Sequence, residues 1–182
     1  GQVNITTSKR SPGSTLKPFI YALALDQGII HYSTMLKDTP QTFNEYTPDN
    51  YGSIFKGPVH AWFALADSRN IPAITLNRDI KKYDLYDFMK DSSVEGMKEK
   101  DYYGLSIVLG TCEVTMLELV KMYGTLANKG IQYNINFTPQ IRLGPGKKIL
   151  SEESSFIVRK MLEANTPPYQ TKPQEIRDIP VA

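Results

Sequence analysis

Apolar residues recur at helical spacing in Phe19, Ile20, Leu23, Ala24 and Leu25. Pro18 suits a first helical turn, where a missing N–H costs nothing, and Gly28 is a good stop. The pattern predicts a helix over residues 14–27, apolar enough on all sides to lie inside a core. Residues 31–57 carry Pro40, Pro48, Gly52 and Gly57 among Asn, Thr and Tyr. They read as a long irregular connection, a kind of segment that often carries function. A short helix is expected over 58–66, packing through Val59, Trp62, Phe63 and Leu65. Residues 67–70 interrupt it, and Pro72 opens another helix through Leu76 and Ile80.

Asp84 can cap a helix bearing Leu85, Phe88 and Met89. Residues 90–104 are polar and read as exposed. Thr115 and Glu118 have capping-box spacing ahead of Leu119, Val120, Met122, Tyr123 and Leu126, and Gly130 ends that helix. From Ile131 the period changes to two, with Ile131, Tyr133, Ile135 and Phe137 alternating with polar residues. That pattern predicts a half-buried strand. Ile141 and Leu143, then Gly144-Pro145-Gly146, then Ile149 and Leu150 suggest a hairpin. Ser151 starts a last helix with Phe156, Ile157, Met161 and Leu162, and the Pro-rich stretch 165–182 reads as extended. The expected class is mainly α with a small β hairpin.

Composition narrows the picture by exclusion. The chain has 182 residues, 41% hydrophobic and 22% charged, ordinary for one globular domain or part of one. Lys plus Arg number 21 against 19 Asp plus Glu, a net charge of +2. Such a balance makes no electrostatic case for nucleic acid. No apolar run approaches the roughly 20 residues that span a bilayer, and no signal-peptide pattern opens the chain. A single cysteine, Cys112, excludes an intramolecular disulfide. Cys112, His31 and His60 have no ligand spacing, so neither metal nor cofactor is expected.

Two short motifs can carry chemistry. In Ser14-Thr15-Leu16-Lys17 the hydroxyl and the amine lie three residues apart on one helical face. A serine hydroxyl needs a base beside it, and a lysine becomes one when burial and the positive end of a helix lower its pKa. The same helix end offers free N–H groups to a developing oxyanion. Taken alone, Ser14 reads more readily as a plain capping serine beside a solvated lysine. Ser-x-x-Lys arises by chance roughly once in a chain of this size. Ser53-Ile54-Phe55-Lys56 is a second match, set in a loop without a helix terminus. In Ser68-Arg69-Asn70 a hydroxyl that both donates and accepts sits two residues from an amide able to match a substrate peptide. Taken alone these are ordinary turn residues.

Together, in this order and 54 residues apart, the motifs resemble the signature of penicillin-binding proteins and class A β-lactamases. The stretch Arg10-Ser11-Pro12-Gly13-Ser14-Thr15-Leu16-Lys17-Pro18-Phe19 resembles the active-serine segment of class A penicillin-binding proteins. Tyr46-Thr47-Pro48-Asp49-Asn50-Tyr51, Ser68-Arg69-Asn70-Ile71-Pro72-Ala73, and Glu113-Val114-Thr115 through Ala127-Asn128-Lys129-Gly130 also look like that family, with the best fit in its 1C branch.

The resemblance covers most of the chain. It implies that residues 1–182 are the helical portion of the α/β penicillin-recognising transpeptidase fold, truncated at both ends. It implies a substrate, peptidoglycan stem peptides ending in D-Ala-D-Ala, and acylation of the same serine by β-lactams. Ser14 would attack the penultimate D-Ala carbonyl, Lys17 would accept its proton, Ser68 would relay that proton to the leaving amine, and Asn70 would hold the substrate carbonyl. The family's Lys-Thr-Gly element is absent, and Gly146-Lys147-Lys148, expected to be a solvated turn, is no substitute. One oxyanion donor would belong beyond the missing element, so the chain alone is expected to acylate poorly. Apolar surface left bare would favour self-association.

The parent implied is a protein of the bacterial cell envelope, facing the periplasm, with a membrane anchor and a glycosyltransferase domain. Arg69, where class A β-lactamases carry Asp, favours a penicillin-binding protein. A serine β-lactamase or esterase of the same fold, and a non-catalytic binding module, are the competing readings.

Overall fold

The structure is a computed structural model and describes residues 4–43, 46–138 and 144–164. It is built around one buried helix, α1 (Lys17–Asp26), in which every residue from Lys17 to Ala24 is buried. A helix apolar on all faces must be enclosed by others. Those around it are α2 (Ala61–Ala66), α3 (Asn70–Asp79), α4 (Leu85–Asp91) and α7 (Glu152–Glu163). α5 (Lys100–Tyr103) is a single turn, and α6 (Met116–Ala127) packs on α7. Phe19 stacks on Phe88 at 4.9 Å and meets Tyr123 edge-on at 5.1 Å, tying α1 to α4 and α6. Two short antiparallel pairs complete the described residues. They are β1 (Met35–Asp38) with β2 (Gly57–His60), and β3 (Ile131–Gln132) with β4 (Lys147–Lys148).

Local signals set the helix starts. Asp84 accepts from the Asp87 N–H and Asp87 returns the bond, a full capping box; Thr115 and Glu118 form another. Ser151 caps α7 through the Ser154 N–H. Each satisfies donors that a helix start leaves free.

Other expectations are corrected. The helix predicted over 14–27 is split: Gly13–Leu16 is a 3-10 turn, and the α-helix begins at Lys17 with Pro18 in its first turn. The helix predicted from Pro58 begins only at Ala61, because Gly57–His60 pairs with Met35–Asp38 as β2. That pairing also puts a strand inside the supposedly irregular 31–57 segment. Neither four-residue partner has a period strong enough to announce itself; the ladder exists only between them. Residues 90–104 are not uniformly exposed, since Ser92, Val94 and Tyr103 are buried.

The alternating strand from Ile131 stops after Gln132, and its phase is reversed. Gln132 is buried, whereas Phe137 is 80% exposed. The basic pair expected in a turn, Lys147-Lys148, forms β4 and faces solvent, with Lys147 paired to Asp91 at 2.9 Å. Ile141, Leu143 and the stretch 165–182 lie outside the described residues.

Close backbone packing holds the 3-10 turn in place. Gly110 has φ +87°, and a Cβ there would lie 2.2 Å from the Gly13 nitrogen. Gly110→Ala combines a left-handed penalty with overpacking and is expected to lower stability by about 2–4 kcal/mol. Gly144, with nothing within 4 Å, is the control. Gly144→Ala should stay within about 0.5 kcal/mol of the parent in urea unfolding.

Candidate active site

The segment leading into α1 is braced from one side. Arg10 and Val114 exchange backbone hydrogen bonds of 2.9 Å. Ser11 Oγ donates to the Gly110 carbonyl at 2.7 Å, and Tyr123 Oη donates to the Thr15 carbonyl at 2.9 Å. Leu16 is fully buried. Between these anchors Ser14 is exposed, in the second position of the turn, and its Oγ makes no hydrogen bond among the described residues. An apolar cleft of about 220 Å³ lies beside this segment, lined in part by Pro12, Val114, Met116 and Leu119.

Three residues after Ser14 the chain enters the core. Lys17 is the first residue of α1 and 1% exposed, a rare setting for a lysine. Its Nζ donates to the Ser68 carbonyl, to Ser68 Oγ at 3.1 Å and to Asn70 Oδ1 at 2.6 Å. Three donors meet three acceptors. Desolvation lowers the amine's pKa to about 8, helped by the positive charge of Arg69. Its place at a helix N-terminus acts in the same direction. A side chain with this pKa can both take and return a proton near neutral pH.

The acceptors come from the turn between α2 and α3. The Ser68 N–H bonds to the Leu65 carbonyl and the Arg69 N–H to the Ala64 carbonyl at 2.9 Å. This is the paired closure of a Schellman motif, whose left-handed position is usually glycine. Here it is Ser68, at φ +53°. The strained seat lets a hydroxyl stand where glycine would offer none. Asn70 follows as the first residue of α3. Its N–H is taken by Asn50 Oδ1 at 2.9 Å and its Nδ2 donates to the Asp49 carbonyl at 2.6 Å.

Thus Lys17, Ser68 and Asn70 of the two motifs are joined by hydrogen bonds. Ser14 stands next to them along the chain without a bond to Lys17. The amide of Asn70 is engaged at both ends, so a substrate carbonyl reaching Nδ2 would displace the Asp49 carbonyl. The second Ser-x-x-Lys match is structural. Ser53 Oγ donates to the Asp49 carboxylate, and Lys56 pairs with Asp67 at 3.4 Å and lies over Phe63.

Three participants escaped the motif reading. Arg69 Nε donates to Asp38 Oδ2 at 2.8 Å, with side chains 7% and 0% exposed. Asn50 Nδ2 donates to Asp38 Oδ1 at 2.7 Å. Asp38 closes a four-residue strand of ordinary composition, so nothing local marks it. No group of three or more His, Cys, Asp or Glu side chains among the described residues is placed to hold a metal ion.

A buried lysine pinned by a hydroxyl and an amide, one turn after an exposed serine, has the groups that acyl-transfer chemistry can use. Comparison with known proteins points the same way. Residues 2–181 match the family described as penicillin binding protein transpeptidase domain. Penicillin-binding protein 1C of Escherichia coli is 31% identical over 172 residues, covering 92% of this chain and 22% of that protein. Penicillin-binding protein 1F of Bacillus subtilis is 29% identical over 173 residues, 88% of this chain and 24% of that protein. Penicillin-binding protein 1A of Pseudomonas aeruginosa is 33% identical over 139 residues, 70% and 16% respectively. The chain therefore spans less than a quarter of the length of these relatives. Near-complete coverage by the family, together with the site it encloses, establishes that the chain belongs to the transpeptidase-domain family of the penicillin-binding proteins.

Proposed function

We propose that this chain supplies the nucleophile and base of a peptidoglycan D,D-transpeptidase. The observation that carries this reading is the buried Lys17 amine held between Ser68 and Asn70, with Ser14 exposed one turn away. Ser14 Oγ attacks the penultimate D-Ala carbonyl of a stem peptide and gives its proton to neutral Lys17. Ser68, bonded to that amine, passes the proton to the departing D-Ala nitrogen. The Ser14 ester is then attacked by an acceptor amine on another strand, which restores the serine. β-Lactams acylate Ser14 by the same attack and stay, because the amine released by ring opening remains tethered to the acyl group and occupies the place of the acceptor. Asn70 aligns the substrate or the drug amide through Nδ2. The site of action is the cell envelope, on the outer side of a membrane to which the protein is anchored. No helix among the described residues is long and apolar enough to cross a membrane.

Incubating the native protein at its natural length with fluorescent penicillin, followed by intact-mass measurement, tests this. One stable adduct per molecule is expected on Ser14, and none with Ser14→Ala. Equal labelling of Ser14→Ala sinks the assignment. Rapid turnover of a chromogenic cephalosporin would instead mark a β-lactamase.

The pH dependence follows from Lys17. The neutral amine is the active form, so acylation should climb about tenfold per pH unit below pH 8 and level off above it. Stability has its own signature. The native amine titrates near 8 against 10.5 when exposed, so between these values the unfolded chain binds more protons. The burial penalty is in full force below about pH 8 and fades as pH rises toward 10.5. The urea midpoint of the wild type should rise across that window more than that of Lys17→Met.

Ser68→Gly separates function from folding. It relieves the left-handed strain but takes one acceptor from the buried Lys17 amine, so the two effects oppose and stability should change by no more than about 1 kcal/mol. It should also slow acylation about 10²-fold or more by removing the relay hydroxyl. Melting curves and labelling rates on one sample report both.

A further inference from the structure

Asp38 is wholly buried and fully engaged. Oδ1 accepts from Asn50 Nδ2 at 2.7 Å, and Oδ2 accepts from Arg69 Nε at 2.8 Å and from the Lys56 N–H at 3.0 Å. From this carboxylate two arms lead to the same amine. One runs through Asn50, whose Oδ1 takes the Asn70 N–H at 2.9 Å, and Asn70 Oδ1 takes Lys17 Nζ. The other runs through Arg69, which lies in sequence between the two residues that hold Lys17. Its guanidinium is tied to Asp38 and to the Ile54 carbonyl, and more loosely to Asp67 at 3.5 Å. The guanidinium cannot shift without moving the backbone that presents Ser68 and Asn70.

A buried ion pair is a weak device for stability alone. Replacing both partners by apolar residues of similar volume is often neutral or favourable. What the pair does supply is orientation, a charge-assisted bond of defined direction. We propose that Asp38 is a positioning residue of this site. Through Arg69 and Asn50 it holds the 68–70 turn where Ser68 and Asn70 can grip the amine of Lys17. The inference rests on the reading of Lys17 as the base of an acylating serine.

Asp38 also offsets the charge of Arg69, which acts on Lys17. Ionisable groups on the elements around the first turn of α1 are Tyr21, Asp38, Asp49, Lys56, Asp67 and Arg69. Asp49 is bonded to Ser53 and Asn50, and Lys56 and Asp67 pair with each other at the surface. Asp38 and Arg69 are thus the buried charges free to set the potential at the amine.

The test measures fluorescent-penicillin acylation of the native protein from pH 6 to 10, with melting curves in parallel. The variants are Asp38→Asn, the double variant Asp38→Leu with Arg69→Met, and Asn50→Ala. The double variant should fold and acylate about 10²-fold more slowly, since small misplacements of a catalytic group cost that much. The rising limb of its pH profile should move to higher pH, because the cation is gone. Asp38→Asn should move the limb to lower pH, because Arg69 is left uncompensated. A merely structural role predicts no such opposite shifts.

Should the double variant fail to fold, Asn50→Ala, which strands no buried cation, decides the matter with a loss of at least tenfold at a temperature well below its own melting transition. Wild-type rates and unmoved limbs in the folded variants overturn the proposal. An unlabelled wild type sinks the transpeptidase reading itself.

Discussion

An ammonium group taken out of water at the start of a helix is the constraint to which the surrounding structure answers. Lys17 loses its hydration, and the N-terminal dipole of α1 opposes its charge. Such a side chain persists only if acceptors are fixed around it before it arrives. Ser68 and Asn70 are those acceptors, and their fixing explains features with no separate purpose. These include a serine in a left-handed seat, an asparagine at the first position of α3, and a buried carboxylate at the end of β1.

The cost falls on stability and the return is chemical. A solvated lysine is fully protonated at neutral pH and takes no proton from a serine. Burial brings it to about 8, where a useful fraction is neutral. The same burial weakens the fold, and the strain at Ser68 adds to it. The apolar residues Phe19, Ile20 and Leu23, enclosed by α3, α4 and α7, supply the opposing term. Thus one face of α1 holds the core together while its first turn gives up part of that stability to bury an amine that loses its proton readily.

The two sides of the site are held differently. The segment before Ser14 rests on close backbone packing, with Gly110 against Gly13 and paired bonds between Arg10 and Val114. The 68–70 turn rests on buried charge and amide bonds centred on Asp38. Packing tolerates no added atom, and a polar network tolerates no missing partner. Between them Ser14 stays exposed, its Oγ without a hydrogen bond among the described residues.

Local chemistry was legible without coordinates. The cap at Asp84, the capping box at Thr115, the helix start at Ser151 and the apolar run of α1 rest on residues three or four apart, so the chain states them directly. The pairing of Ser14-x-x-Lys17 with Ser68-x-Asn70 was legible only through its resemblance to the penicillin-binding proteins, since each motif alone reads as ordinary cap and turn residues. The tertiary structure decided what depends on distant partners. β1 and β2 exist only by pairing with each other, and the strand expected from Ile131 stops at Gln132, where its short partner β4 ends the ladder. Asp38, Asn50 and Arg69 lie 12 to 31 residues apart and become one network only when β1, the loop after it and the 68–70 turn are brought together. A carboxylate alone in a sequence has no direction; burial among fixed donors gives it one.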